Sequence, residues 1–272
     1  DSNWMKFTAV GLVGTLVGTV VGTLLTSTLL GQTYIEKRDN LDAMKKGLHR
    51  LLLPSDIQNS STTSEEVHEL MQNKEYIDRP DLEKEITTIV NKQTATEQYY
   101  VVYGPKGVGK SVLISKCSDG IKGVVKVIIS SVFEKSDILQ ELSTELLGEG
   151  SPVVTEKKMV DVLYKAKVDG RLPTLIFEIE RGKDAEQRSC IESVRSLCKQ
   201  FAVCANCIII LSETNAVLVF GQDPAREKII LVPELTQVQA LDFIRARKGI
   251  YVDEKEMMHL FDNVGTNAAD LF

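Results

Sequence analysis

The chain is poor in aromatic residues, which make up 6% of its 272 positions and include a single tryptophan, Trp4. It has three histidines, at 49, 68 and 259, and none stands in a nucleophile pattern, so they read as surface or packing residues. Positive charge is in deficit. The 32 Lys and Arg against 38 Asp and Glu leave a net charge of −6, which excludes a surface built generally to coat nucleic acid and leaves only a local patch open. The five cysteines, at 117, 190, 198, 204 and 207, are odd in number and confined to the later part of the chain. That is no secreted disulfide framework, and reduced thiols are expected. Cys204 and Cys207 form a lone C-x-x-C without the further partners that a four-ligand zinc site needs. What remains, 43% hydrophobic and 26% charged, is the balance of an ordinary globular domain.

One segment departs from that average. Phe7 to Gly31 is 25 residues without a charge, long enough as a helix to cross a hydrocarbon core of ~30 Å. A membrane-spanning helix over about 7–31 is expected. Gly14, Gly18 and Gly22 recur every four residues on one face, the spacing that lets two membrane helices approach closely; a span that packs against nothing is the alternative. Lys6 alone precedes the run, whereas Lys37, Arg38, Lys45, Lys46 and Arg50 follow it. The positive-inside rule then places the bulk of the chain on the cytosolic side of a single-pass membrane, an organellar one such as the mitochondrial included. After the span, 35–53 has a mixed helical pattern, and Ser55 to Glu66 reads as a polar linker.

The most specific motif begins at Gln98. Gln98 to Tyr103 is rich in β-branched and aromatic residues and reads as a buried strand. It runs into Gly104-Pro105-Lys106-Gly107-Val108-Gly109-Lys110-Ser111, which satisfies G-x-x-x-x-G-K-[ST] throughout, and Val112 then opens a helix. The order has a chemical reason: glycines let successive N–H groups turn inward around phosphates, and the helix N-terminus adds partial positive charge. Lys110 is expected on the β- and γ-phosphates, and the Ser111 hydroxyl on Mg²⁺.

With this loop, the segment from Tyr76 to the end resembles the P-loop ATPases of the AAA+ and STAND type, in their ORC/archaeal-ATPase-like branch. The resemblance implies an α/β, three-layer fold with a parallel sheet and a small helical lid, and ATP with Mg²⁺ as ligands. Tyr76-Ile77-Asp78-Arg79-Pro80 resembles the family's opening motif, which implies Ile77, Arg79 and Pro80 near the adenine; a capped helix start is the other reading. The family also needs a strand ending in carboxylates. Leu175 to Phe177 supplies one, but its acids alternate as Glu178 and Glu180 where relatives have an adjacent Asp-Glu pair. Residues two apart share a strand face, so either Glu178 is the Mg²⁺-side acid and Glu180 the catalytic base, or Glu178 is the only functional acid. Cys207 to Leu211 reads as a buried strand leading to Ser212 and Asn215, the positions where the resemblance puts a γ-phosphate sensor, with plain turn chemistry as the alternative.

Ile229 to Val232 makes a last strand, and Pro233 then leads into the lid. There Thr236 and Gln239 have capping-box spacing, a second short helix runs from Asp253 to Asp262, and Gly265-Thr266-Asn267 resembles the turn that starts a further lid helix. Four regions follow: the segment 1–34 with the span, a juxtamembrane segment and linker at 35–74, the α/β domain at 75–233, and a lid at 234–272 that is expected to be incomplete. Two functions remain open. One is a membrane-anchored Mg²⁺-ATPase, with Lys110, Glu178 and Glu180 as its catalytic groups, that uses ATP turnover as a conformational or assembly switch. The other is a nucleotide-binding scaffold that does not hydrolyse and recruits a protein partner. Self-assembly is compatible with either.

Overall fold

Five short apolar runs become the strands of one parallel sheet. The computed structural model describes residues 76–148, 154–211, 219–221, 223–248 and 253–267. Their elements run α1 (Pro80–Val90), β1 (Tyr99–Tyr103), α2 (Lys110–Ser118), β2 (Val124–Ile129), α3 (Lys135–Leu147), α4 (Glu156–Lys165), β3 (Thr174–Ile179), α5 (Asp184–Phe201), β4 (Asn206–Leu211), β5 (Glu227–Leu231), α6 (Gln237–Lys248) and α7 (Glu254–Val264). The order across the sheet is β2-β3-β4-β1-β5, every pairing parallel. Parallel strands need crossovers, and the helices of those crossovers cover both faces. This explains why β4, NCIIIL, is buried at every position.

Strand alternation assigns the two faces. On one, Tyr100, Val102, Ile176, Ile208, Ile210 and Ile230 meet Ile86, Ile89 and Val90 of α1 and Leu113, Ile114 and Cys117 of α2. On the other, α3 packs on β2 and α5, α4 on α5, and α5 on β4. Cys190 and Cys198 of α5 are fully buried there. The result is the three-layer α/β architecture of a P-loop NTPase-like domain. The apolar runs in the sequence place β1, β3, β4 and β5 within two residues of their ends, and in α5 Ile191, Val194, Leu197 and Phe201 recur at three- and four-residue intervals; β2, α3 and α4 were not among the expectations. β5 starts two residues before its apolar run because Glu227 opens it.

Glu227 is fully buried. Its carboxylate accepts from the Tyr99 hydroxyl, from Arg195 Nε at 2.6 Å and from the Gly221 N–H at 2.6 Å. Burial works against the charged form, but these hydrogen bonds outweigh it and hold the carboxyl below its ordinary range. The network joins β1, α5 and β5 at the amino end of the sheet.

In the segment expected to form a lid, α6 and α7 pack around Leu235, Ala240, Leu241 and Phe261, with Ile77 from the opening turn against them. The capping box forms: Thr236 N–H donates to Gln239 Oε1 at 3.0 Å, and Gln239 N–H to Thr236 Oγ1 at 3.2 Å. Asp253 caps the start of α7 by accepting from Lys255 N–H at 3.0 Å, and the helix runs to Val264, two residues past the expected Asp262, where the Gly265 N–H donates to Phe261 O at 2.9 Å. Among the described residues no helix is long and apolar enough to cross a membrane. The run 7–31, the juxtamembrane segment and the linker lie outside the described residues.

Candidate functional site

The loop leaves the carboxyl end of β1 and enters α2, beside strands whose carboxyl ends all lie on the same edge. Three glycines shape it. Gly104 has φ +157 and Gly107 has φ +87, and Gly109, at φ +89, is the left-handed N-cap of α2. A β-carbon at Gly104 would sit well inside 3.0 Å of the Val232 carbonyl oxygen. A backbone contact of that kind cannot yield as a flexible side chain would. Gly104→Ala is therefore expected to lower stability by roughly 2–5 kcal/mol and to push the loop off β5; a denaturant midpoint unchanged from wild type would contradict this packing.

Lys110 is buried, and its Nζ donates to the carbonyls of Gly104 at 2.9 Å and Pro105 at 2.7 Å. Burial pulls its ammonium below the usual lysine value, against the opposing pull of Glu178. The loop thus curls around its own lysine, with glycine N–H groups and the start of α2 at the same place. This fits the phosphates of a nucleotide.

Glu178, the next-to-last residue of β3, faces α2. Ser111 Oγ donates to its Oε1 at 2.5 Å. Its Oε2 pairs at 2.7 Å with Nζ of Lys126, whose side chain is only 4% exposed. Register puts the two on one face: Lys126 stands opposite Ile176, two residues before Glu178. Ser111 and Glu178 are the pair that would serve Mg²⁺, and their arrangement suits the ion poorly, because this half-buried carboxylate already carries a buried ammonium as a counter-charge. Like unit charges ~4 Å apart repel by about 4 kcal/mol at an effective dielectric near 20. Glu180 continues the β3 ladder through its N–H to Ile129 O at 2.9 Å, with an exposed side chain beyond the strand end. β4 ends at Leu211, between β1 and β3. Ser212 and Asn215 lie outside the described residues.

The opening motif sits where three parts meet. Arg79 donates from Nη1 to Pro233 O at 2.7 Å, at the start of the lid, and from Nη2 to Val108 O at 3.0 Å, in the phosphate loop. Its guanidinium is a tie between backbones. Pro80 is the first residue of α1, and the Arg79 N–H donates to Glu83 Oε1 at 2.9 Å. Glu83 also takes the Tyr76 hydroxyl at 2.8 Å and Lys116 Nζ at 2.9 Å, and Lys116 stands 4.3 Å over the Tyr76 ring. Burial, and then Glu83, push the Tyr76 hydroxyl up. From the lid, Asn267 Nδ2 donates to Lys106 O at 2.6 Å. The structure therefore brings together the loop, Glu178, Arg79 and the turn at Asn267. Sequence reasoning missed Lys126, although a lone charge within the apolar VVKVII was a visible signal, and it missed the Glu83–Lys116 clamp, whose spacing gives none.

No family model matches the chain, and no curated protein is similar to it in sequence. Among solved structures, the structure of Drosophila ORC bound to DNA is similar over 72% of this chain and 51% of that one, with 12% identity and a TM-score of 0.48. The chain spans about half the length of that protein.

Proposed function

We propose that this is an ATP-binding switch protein: ATP or ADP occupies the loop 104–111, and the lid passes occupancy on to a protein partner. The observation that carries the reading is the double hold on the phosphate loop. Asn267 of the lid hydrogen-bonds the Lys106 carbonyl, and Arg79 bonds both the Val108 carbonyl and the Pro233 carbonyl at the lid's start. A phosphate group that reshapes the loop must change what the lid is attached to, which is the differential contact a switch needs. The pairing of Glu178 with Lys126 favours binding over turnover. The uncharged run 7–31 and the basic residues after it support a membrane tether with this domain on the cytosolic side, of the cell membrane or of an organelle. Gly14, Gly18 and Gly22 support pairing of two such chains through that span.

A second reading, Mg²⁺-dependent hydrolysis of ATP, is favoured by Glu180, a further acid one residue past the end of β3 and two beyond Glu178. Steady-state ATP hydrolysis by the full chain in lipid, with Mg²⁺, separates the two. The switch reading expects ATP to raise Tm while turnover stays at the level of Lys110→Ala. Turnover well above that level, lost in Glu178→Gln or Glu180→Gln, would establish an ATPase and identify its acid. If neither ATP nor ADP raises Tm, the nucleotide reading fails.

A further inference from the structure

The last strand of the sheet has a partner on one side only. β5 pairs with β1 and closes the strand order there. Its bonds to β1 use even-numbered residues: Tyr99 N–H donates to Arg226 O at 2.9 Å, and Val232 N–H donates to Tyr103 O at 2.8 Å. Alternate residues of a parallel strand bond to the same neighbour, so the N–H and C=O of Glu227, Ile229 and Leu231 point away from the sheet. The Glu227 N–H is already taken, by Asp223 O at 2.9 Å. Among the described residues nothing bonds the backbone of Ile229 or Leu231. That leaves a short row of edge groups of the kind that pairs with another strand.

The side chains agree with the backbone. Ile229 and Leu231 share one face and are 43% and 48% exposed, whereas Glu227, which begins the same row, is buried against Arg195. Pro233, which has no N–H, ends the row. The free edge is therefore centred on Ile230.

A second copy of this edge fits it. With two copies antiparallel about a twofold axis at Ile230, Ile229 of each lies opposite Leu231 of the other, and each such pair exchanges both of its N–H···O bonds. The exposed apolar side chains then meet on one face. The same register sets Arg226 opposite the exposed Glu234 of the other copy, a pairing of unlike charges that symmetry repeats. Arg226 is 46% exposed, and its ion pair with Glu97 is long, at 3.9 Å. Centring on Ile229 would set Leu231 against Glu227, whose N–H is taken, and centring on Leu231 would set Ile229 against Pro233. We propose that β5 is a self-association edge, through which two copies of this chain join their sheets antiparallel about Ile230. Strands this short bury little area, so the dimer is weak in free solution. The membrane tether proposed above would strengthen it by raising local concentration.

The test is the dimer dissociation constant of the full chain in detergent micelles, measured by sedimentation, with Tm as the check on folding. The wild type is expected to dimerise reversibly. Arg226→Glu sets like charges together at both ends of the interface and is expected to weaken the dimer by about fivefold or more. Adding Glu234→Arg to it should restore Kd to within about threefold of wild type. An edge strand tolerates a proline whose nitrogen faces outward, so Ile229→Pro should keep its fold and weaken the dimer by about tenfold or more. A wild type that stays monomeric overturns the proposal. So does a Kd unchanged in either Arg226→Glu or a folded Ile229→Pro, which would leave the glycine-spaced span as the source of any dimer. A loss in Arg226→Glu that the double change does not restore overturns it as well. Should Ile229→Pro fail to fold, the charge exchange decides alone.

Discussion

Lys110→Ala is expected to remove all thermal protection by ATP while leaving the unliganded protein close to wild-type stability. The Lys110 ammonium holds two loop carbonyls, Gly104 and Pro105, at 2.9 and 2.7 Å. Phosphate oxygens are stronger partners than carbonyls for the same ammonium, because both groups are then charged. Hydrogen bonds to charged groups contribute about 1.5–3 kcal/mol each, so losing two weakens binding by roughly 10²–10⁴-fold. Wild-type protein in ATP at ~100 times Kd gains about 2.7 kcal/mol of apparent stability by mass action, and a variant weakened to that degree gains almost nothing. Without ligand, the change deletes a buried, desolvated charge and frees two carbonyls, effects of opposite sign. A melting curve with and without ATP reads both arms. A Tm of Lys110→Ala that still rises with ATP would show that nucleotide binds elsewhere.

Glu227→Ala is expected to have the largest effect on stability of any single change considered, a loss of about 3–5 kcal/mol. Removing the carboxylate takes from Arg195 its ion pair beside the Tyr99 hydroxyl and leaves the Gly221 N–H without this acceptor. Against a total stability of about 5–15 kcal/mol, Tm should fall by about 10 °C. Glu227→Gln, which retains hydrogen-bonding atoms but not the charge, should fall in between. The same group gives a pH dependence. A carboxyl held below its unfolded value stabilises the fold at pH above that value, and the contribution disappears as pH falls through the lower folded value. Wild-type Tm should therefore drop as pH is lowered below about 4.5, the ordinary value, and Glu227→Ala should show a shallower drop. Glu83 and Glu156 are depressed in the same direction, so the slope should be reduced rather than abolished. Identical acid profiles in the two proteins would count against the network.

The difference between these two residues explains what was legible in the sequence. Lys110 acts within a contiguous loop, where the chemistry and the chain order coincide, so eight consecutive residues declare it. The capping box at Thr236 and Gln239 is local in the same way, and so are the apolar runs of β1 and β4. Glu227 works through Tyr99 and Arg195, and Lys126 through Glu178. Those partners are brought together by strand order, and order in a parallel sheet is set by crossovers that leave no periodic trace. Arg79 shows a milder case. The resemblance implied a place near the adenine, and the contacts its guanidinium makes, to the Val108 and Pro233 carbonyls, are set by residues away from the motif. Helices α3 and α4 were legible and went unread: Ile138, Leu139, Leu142, Leu146 and Leu147 in one and Met159, Val162 and Leu163 in the other recur at helical spacing.

The strand order also has a consequence for how the protein is made. β1 finds its two neighbours more than a hundred residues downstream, Tyr99 pairing with Cys207 on one side and with Glu227 on the other. At a synthesis rate of about 5–20 residues per second, some 5–20 seconds separate the emergence of YYVVY from that of its first partner. Until then the strand presents apolar side chains and two unpaired edges, the state that holding chaperones bind and that aggregates form from. A nascent chain halted before Asn206 already carries the whole glycine-rich loop and both strands of the β2–β3 pair, but neither strand that flanks β1. The phosphate site is therefore translated early and assembled late.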